Sequence, residues 1–506
     1  MKKLLITLTV FIAALNLTAQ SSADALRYSR QDIAGTARFV AMGGSFGALG
    51  GEVSGLSINP GGIGVYRSSE FSFSTGFNNY NSTSNYRGVS KEDGRINFNI
   101  PNLSYVGNYK GDANGWKYYS FGLTHNRVNT FSGQSRLFGD SKNSTIIDQY
   151  VQIMNSDNPS IASLENYEYP GGVSQAWWIS MVDQIEDPKD SNSLIFIPRI
   201  FNSAELGQGR SIQNIAQERI LDERGSQSET QFTFGGNFQD KVYLGGSIGF
   251  QNTRYEIAEK FTEDYTYSPV ASASDTFLIS SYEQESFLDI QGKGVNFKIG
   301  VIYKISDNLR AGLAIHSPTI MGYKETFEYD AKSVYADGFE VQADSITTKF
   351  EYQIRTPARY IASMAYLLGQ NGAINAEYEY LNYSSASFYD KSKYPNDYSP
   401  QNDEIDLLLT SAHNVRVGAE YKFNPFVARI GYNYQGNPYD SQLTEVGEGR
   451  STYSIGGGFR NKNFNFDMAL NYREMSITEG IYSTVDAPAV IDESETNLVF
   501  TFGWRW

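Results

Sequence analysis

The sequence predicts an all-β fold, a 14-stranded antiparallel transmembrane β-barrel with an N-terminal hatch inside its lumen. Three observations carry this expectation. Fourteen segments alternate apolar and polar side chains, six tight turns alternate with seven longer connections, and Met42–Phe77 is rich in Gly and Ser and nearly free of charge. A soluble β-sandwich also alternates, but it would not keep aromatic, apolar outer faces on nearly every strand.

Composition agrees with the barrel. The 506 residues include 36 Tyr, 31 Phe and 47 Gly, the usage expected of aromatic girdles and small lumenal residues. There is no cysteine, which removes disulfides, thiolate metal sites and a lipid-anchor cysteine together. A formal net charge of −15 argues against nucleic acid as a partner, because phosphate backbones require a basic surface. No long apolar run follows the first twenty residues, so helical membrane spans are not expected.

Taken in order, residues 1–19 read as a signal peptide: Lys2 and Lys3, an apolar run from Leu4 to Leu17, and a small residue at Ala19. Residues 20–68 form the expected hatch. Its glycines supply few side chains for a self-sufficient core, so the stretch becomes ordered only if something encloses it. Asn59, Pro60, Gly61 and Gly62 are the candidate gating residues within it.

Residues 69–506 are the expected barrel. Strand one carries Phe71, Phe73 and Phe77; strand two, after a polar loop, Leu103, Tyr105 and Tyr109; strand three, past Gly111–Gly115, Tyr119, Phe121 and Leu123. Residues 130–228 break the alternation and read as a long extracellular loop with helical segments. Strands four and five (Phe232–Phe238, Val242–Phe250) meet across Gln239-Asp240-Lys241. Strand six is the clearest, with Val295, Phe297, Ile299, Val301 and Tyr303 on one face and Asn296, Lys298 and Gly300 on the other. Strand seven (Leu309–Ile315) precedes strand eight (Tyr352–Leu367), where Pro357 lacks an amide donor and implies a bulge, kink or break. Strands nine to fourteen follow at Ile374–Tyr380, Val415–Phe423, Phe426–Tyr434, Tyr453–Phe459, Phe464–Tyr472 and Leu498–Trp506.

The polar faces carry Arg310, Arg359, Arg416, Glu420, Arg429, Asp467 and Arg473, charges tolerated in a wet lumen and costly toward lipid. Arg310, Arg416 and Arg429 are candidates to hold a ligand carboxylate; the competing reading pairs them with Glu420, Asp467 or Glu52. In the long loop, Ile147, Tyr150, Val151 and Met154 behind Ser144, and Trp178, Met181, Val182 and Ile185, have helical spacing. Trp177, Trp178, Met181 and Ile185 either line an apolar ligand groove or pack on the rim. His125, His316 and His413 invite a haem-capture reading but share no spacing motif. Two G-x-S-x-G matches, Gly43–Gly47 and Gly245–Gly249, lack a strand-turn-helix context, and no catalytic constellation or metal cluster stands out. Loop acids such as Asp403, Glu404 and Asp406 read as solvated surface or as divalent-ion bridges to lipopolysaccharide.

Four stretches carry a resemblance: Met42–Phe77 with Asn59-Pro60, GKGVNFKIGVIYKISDNLRAGLAIHSPT (Gly292–Thr319), TPARYIASMAYLLG (Thr356–Gly369) and the terminal FGWRW. Together they resemble the FadL/TodX family of outer-membrane transporters for hydrophobic compounds. That resemblance implies a fourteen-stranded barrel whose hatch bears an Asn-Pro-Ala motif; here Asn59 and Pro60 match and Gly61 stands in place of Ala. It also implies transport of long-chain fatty acid-like or aromatic ligands through an extracellular groove, a lumenal site and a hatch-gated lateral exit. A hydrophobic small molecule and outer-membrane lipid are the implied partners, with no cofactor, no enzymatic activity and a monomeric state. The alternatives within outer-membrane barrels are a non-transporting secretion or assembly partner and a haem-binding receptor.

Overall fold

The computed structural model describes residues 21–111, 115–169, 172–202, 211–268, 278–391, 395–440 and 449–506. The expected signal peptide and the centre of the Gly111–Gly115 turn lie outside the described residues.

Lipid on one side and a crowded lumen on the other impose two-residue periodicity on the wall. On β8 (Ile279–Lys304), Phe297 and Ile299 face outward while Asn296 and Lys298 are buried inside. The same division runs through β1 (Glu70–Tyr86), β2 (Val89–Lys110), β3 (Trp116–Ser141), β6 (Ile212–Phe238) and β7 (Val242–Tyr267). It continues through β14 (Gly372–Asn382), β16 (Ser411–Phe423), β17 (Phe426–Gln435), β18 (Arg450–Arg460), β19 (Phe464–Glu479) and β20 (Ala489–Arg505).

Two further wall strands are each interrupted once. β9 (Leu309–His316) and β10 (Ile320–Tyr335) pair successively with β8, and β12 (Ile346–Arg355) and β13 (Arg359–Leu367) pair with β10 and β9 respectively. The break expected at Pro357 is therefore present, and a second at Ser317-Pro318-Thr319 lies beside it. Side chains stitch the pair: the Thr319 amide donates to Thr356 Oγ1 at 2.9 Å, and the Phe297 amide donates to Ser317 Oγ at 2.9 Å. Fourteen wall strands result, and β1 closes on β20 from Glu70↔Arg505 to Asn85↔Val490. Reciprocal Ser69–Trp506 backbone hydrogen bonds of 3.2 Å finish the seam at the rim.

Two expected loops shrink. The polar connection after strand one is a two-residue turn, Arg87-Gly88 (φ 48° and 81°), because β1 and β2 continue as a polar hairpin above the apolar belt. The expected 130–228 loop is only 142–211, since β3 pairs with β6 as far as Ser141↔Ile215. The extensions depart from a single apolar-out pattern: Ile96, Phe98 and Ile100 still alternate outward on β2, whereas Leu137 of β3 and Ile215 of β6 turn into the core of the remaining insert.

The remaining insert is a small cap. It comprises α3 (Ile147–Asp157), α4 (Ile161–Glu165), α5 (Val173–Trp178) and the hairpin β4 (Val182–Asp187)–β5 (Asp190–Pro198). Its apolar core joins Ile147, Met154, Ala176 and Met181 to wall residues Phe261, Tyr282, Tyr329 and Ile491. Glu263 of β7 docks it, accepting from Ile146 N at 2.9 Å, Gln217 Nε2 at 2.8 Å and Tyr265 OH at 2.7 Å.

Residues 21–69 lie inside the wall. α1 (Ser22–Ser29), with a capping box between Ser21 and Asp24, sits high in the lumen with Leu26 and Tyr28 against Tyr323, Tyr352, Phe388 and Ile405. Ser22 Oγ donates to Glu404 of α6 (Ser399–Leu408) at 2.7 Å. The chain then descends through α2 (Ala37–Ala41) and a 3-10 turn over Pro60–Val65 to the rim at Ser69.

Candidate functional site

The glycine-rich segment is held chiefly by wall side chains that reach its backbone. Ala37 N donates to Thr501 Oγ1 at 2.7 Å and Gly47 N to Glu377 at 2.8 Å. Asn59 caps the following turn, accepting from Gly61 N at 2.9 Å while its amide donates to Gly47 O at 2.6 Å and Val301 O at 3.2 Å. Pro60 and Gly61 press against wall glycines: a Cβ at Gly245 would lie 2.1 Å from Pro60 O, and one at Gly300 within 3.1 Å of Pro60 Cδ.

Arg416 and Arg429 are spoken for inside the wall. Arg416 meets Glu377 (2.5 Å) and Glu379 (2.8 Å); Arg429 meets Glu420 (3.2 Å) and Asp467 (2.7 Å). Glu420 also takes Arg38 of the N-terminal segment at 2.7 Å. These pairings follow the competing reading, in which Arg416 and Arg429 pair with lumenal acids, although Arg429 Nη2 is buried without a hydrogen-bond partner. Arg310 donates to Leu49 O at 2.8 Å and lies 5.7 Å from the Tyr243 ring centroid, so it too holds the segment.

The expected extracellular groove does not assemble. Met181 is wholly buried in the cap core, Trp177 packs edge-on against Phe196, Trp178 stacks outside on Tyr167, and Ile185 lies on β4. The three histidines also stay apart: His316 Nε2 faces Ile58 O inside the lumen at 2.8 Å, His413 stacks with Tyr378 on the outside, and His125 contacts Thr230.

A different site appears between α1 and the wall. A cavity of about 390 Å³ is lined by Leu26, Phe131, Met475 and Ile477 together with Arg30, Arg450 and Arg473. Among the described residues, Arg450 Nε is buried without a hydrogen-bond partner. Asp32, Glu223, Glu479, Glu493 and Glu495 share the lining, so the cavity sets an apolar strip beside a mixed charged wall that includes the unsatisfied guanidinium, a lining suited to a small amphipathic ligand.

The wall beside this cavity is incompletely laddered. β2 pairs with β3 only from Asn102↔Asn126 to Lys110↔Tyr118, although β1–β2 and β3–β6 continue far above. Pro101, which has no amide to donate, stands where the pairing ends. Higher up, side chains bridge the seam, with Asn97 Nδ2 donating to Ser132 Oγ at 2.7 Å and Arg95 to Asp222 at 2.6 Å. A small pocket behind the seam is lined by Phe77, Asn99, Pro101 and Arg127 and closed from within by Asp32, Ile33 and Ala34. Asp32, Thr130 and Glu495 border both this pocket and the lumenal cavity. Arg473 clasps Asp32 at 2.5 Å and also bonds Glu495. Sequence reasoning placed Arg473 in the lumen but missed Arg30, Asp32 and Arg450; Pro101 inside an alternating stretch was the one readable sign of the seam.

Solved structures share this architecture. A Pseudomonas aeruginosa FadL homologue aligns with TM-score 0.52 at 11% identity over 94% of this chain and 99% of its own. The P. putida toluene transporter TodX aligns with TM-score 0.50 at 12% identity, over 94% and 99%. This chain has the FadL/TodX barrel fold. A TodX deltaS2S3 mutant, described as a monoaromatic hydrocarbon channel, aligns with TM-score 0.51 at 14% identity over 93% and 99%. No family model and no curated protein matches the chain. A FadL/TodX barrel with an apolar outer belt is an outer-membrane β-barrel.

Proposed function

We propose that this barrel carries hydrophobic compounds, apolar or with one anionic end, across the outer membrane by way of the lumenal cavity and the β2–β3 seam. The observation that carries the reading is the shared border of Asp32, Thr130 and Glu495 between cavity and seam pocket. On it, residues 21–68 act as the hatch: the Asp32–Ala34 stretch closes the seam, and Arg473 latches it. Displacing that stretch sideways joins the two spaces and opens a lateral path into the apolar belt beside Phe77 and Phe98, without an aqueous pore. Aromatic hydrocarbons are favoured cargo because one neighbour of this fold, TodX, is described as a toluene transporter and, in its deltaS2S3 form, as a monoaromatic hydrocarbon channel.

The chain has no cysteine, so a pair can be introduced cleanly. With Ala34→Cys and Asn99→Cys joined by a reducible cross-linker, toluene entry into proteoliposomes is expected to stop and to return on reduction. Unchanged entry in the cross-linked protein would remove the seam from the path.

A further inference from the structure

On the outer face of the wall, β7, β8, β10 and β12 lie side by side, and their ladder fixes which side chains share a row. Phe250, Val295 and Ile320 are in register and form the uppermost apolar row of these strands, with Phe250 50% and Ile320 46% exposed. The next outward row reads Asn252, Lys293, Gly322 and Gln353; the one after it reads Arg254, Gln291, Lys324 and Glu351. On β12 the apolar row ends at Arg355, the partner of Ile320, so cations begin at the upper edge of the apolar belt and continue one and two outward steps, roughly 7 Å each, above it.

These rows form a hollow of about 940 Å³, completed by Asp390, Lys391 and Asn396 from the loop before α6. Gly322 makes the space, since nothing lies within 4 Å of a Cβ placed there. Four cations, Arg254, Lys293, Lys324 and Lys391, line the hollow with two carboxylates, Glu351 and Asp390, on a chain whose formal charge is −15; Arg254 is in addition paired with Glu256, just outside the lining, at 2.6 Å. The local excess is thus opposite in sign to the molecule. Lys324 bonds Glu351 at 2.8 Å, but both side chains are more than 70% exposed, so a phosphate dianion exchanges with that carboxylate at little cost. Asp390 is occupied by the Asn396 amide at 3.0 Å.

We propose that this hollow seats the phosphorylated glucosamine headgroup of an outer-leaflet glycolipid, with its acyl chains lying along Phe250, Phe297 and Ile320. The pairing of a cationic hollow with an apolar row directly beneath it selects an anionic lipid over a free anion. The contact is direct, through lysine and arginine, and differs from the divalent-ion bridges expected of the loop acids. A glycolipid held here also braces the outer side of the two strand interruptions at Pro318 and Pro357, next to Ile320 and Arg355.

The test is native mass spectrometry of the intact detergent-solubilised barrel, titrated with diphosphorylated lipid A, the same lipid dephosphorylated, and phosphatidylglycerol. Diphosphorylated lipid A is expected to bind best, and Lys293→Gln with Lys324→Gln to weaken it roughly tenfold. Lys462→Gln, in the turn at the opposite end, is expected to leave binding unchanged. Equal binding of the dephosphorylated lipid, which needs no variant, would overturn the assignment. So would undiminished binding by the double variant with normal heat-modifiable gel mobility, or phosphatidylglycerol binding as tightly and losing as much.

Discussion

Arg473 bonds one carboxylate from the lumenal N-terminal segment and one from the wall, so its loss acts on position before stability. Arg473→Met is expected to leave the barrel folded and to raise toluene permeation through proteoliposomes several-fold, because Asp32 loses its clasp. An unchanged rate would place the restraint elsewhere. Asn59→Ala, in contrast, strips a cap and two donated hydrogen bonds from a buried turn, at a cost of about 1–3 kcal/mol. A lower urea midpoint for the detergent-folded protein would register it. Asn59 was legible from sequence because Asn followed by Pro is a local signature of a capped turn. The clasp was not, since Asp32 and Arg473 are 441 positions apart and only the closed wall brings them together.

At the scale of the element, the membrane decides what is readable. Within the apolar belt every strand must alternate, so all fourteen segments, the tight turns and the break at Pro357 follow from periodicity. Above the belt, lipid no longer dictates the outer face and the inner face packs on the cap through Tyr86, Leu137, Ile215 and Phe261, which is why the ends of β1–β2 and β3–β6 were not legible as alternation. Of the two helical faces expected in the long loop only Ile147–Met154 holds, as α3; the other fails, since α5 ends at Trp178, Met181 follows it into the cap core, and Val182 and Ile185 alternate on β4. Wall glycines mark where the lumenal segment touches. Gly245→Val would drive a side chain into Pro60 O, 2.1 Å from the Cβ position, and is expected to dislodge the Pro60–Val65 turn. Faster proteolysis between residues 50 and 66, with intact heat-modifiable mobility, would show it.

For the whole molecule, the cap packs onto the wall through Phe261, Tyr282 and Ile491 and carries a pH dependence. Burial pushes the Asp148 carboxyl up to about 6, aided by nearby Asp486 and opposed by the Thr145 amide. The folded cap therefore binds protons that the unfolded one has released, so its stability falls as pH rises from about 4 to about 6 and then levels off. Amide exchange in Ile147–Asp157, corrected for intrinsic rate, is expected to report less protection at about pH 7 than at about pH 4.5, and Asp148→Asn to flatten the difference.

The N-terminal segment is fastened above, where α1 lies among aromatic residues beneath α6, and below, where Ser69 shares a rung with Trp506. A cord tied at both ends can bow but cannot be drawn out. Expelling it would uproot Leu26 and Tyr28 from their packing, whereas slack taken up near Gly35, at φ 134°, shifts only the few residues behind the seam. On the proposed lateral path, such a tether would limit any opening to one that is narrow and off-axis, beside the wall rather than along the barrel axis.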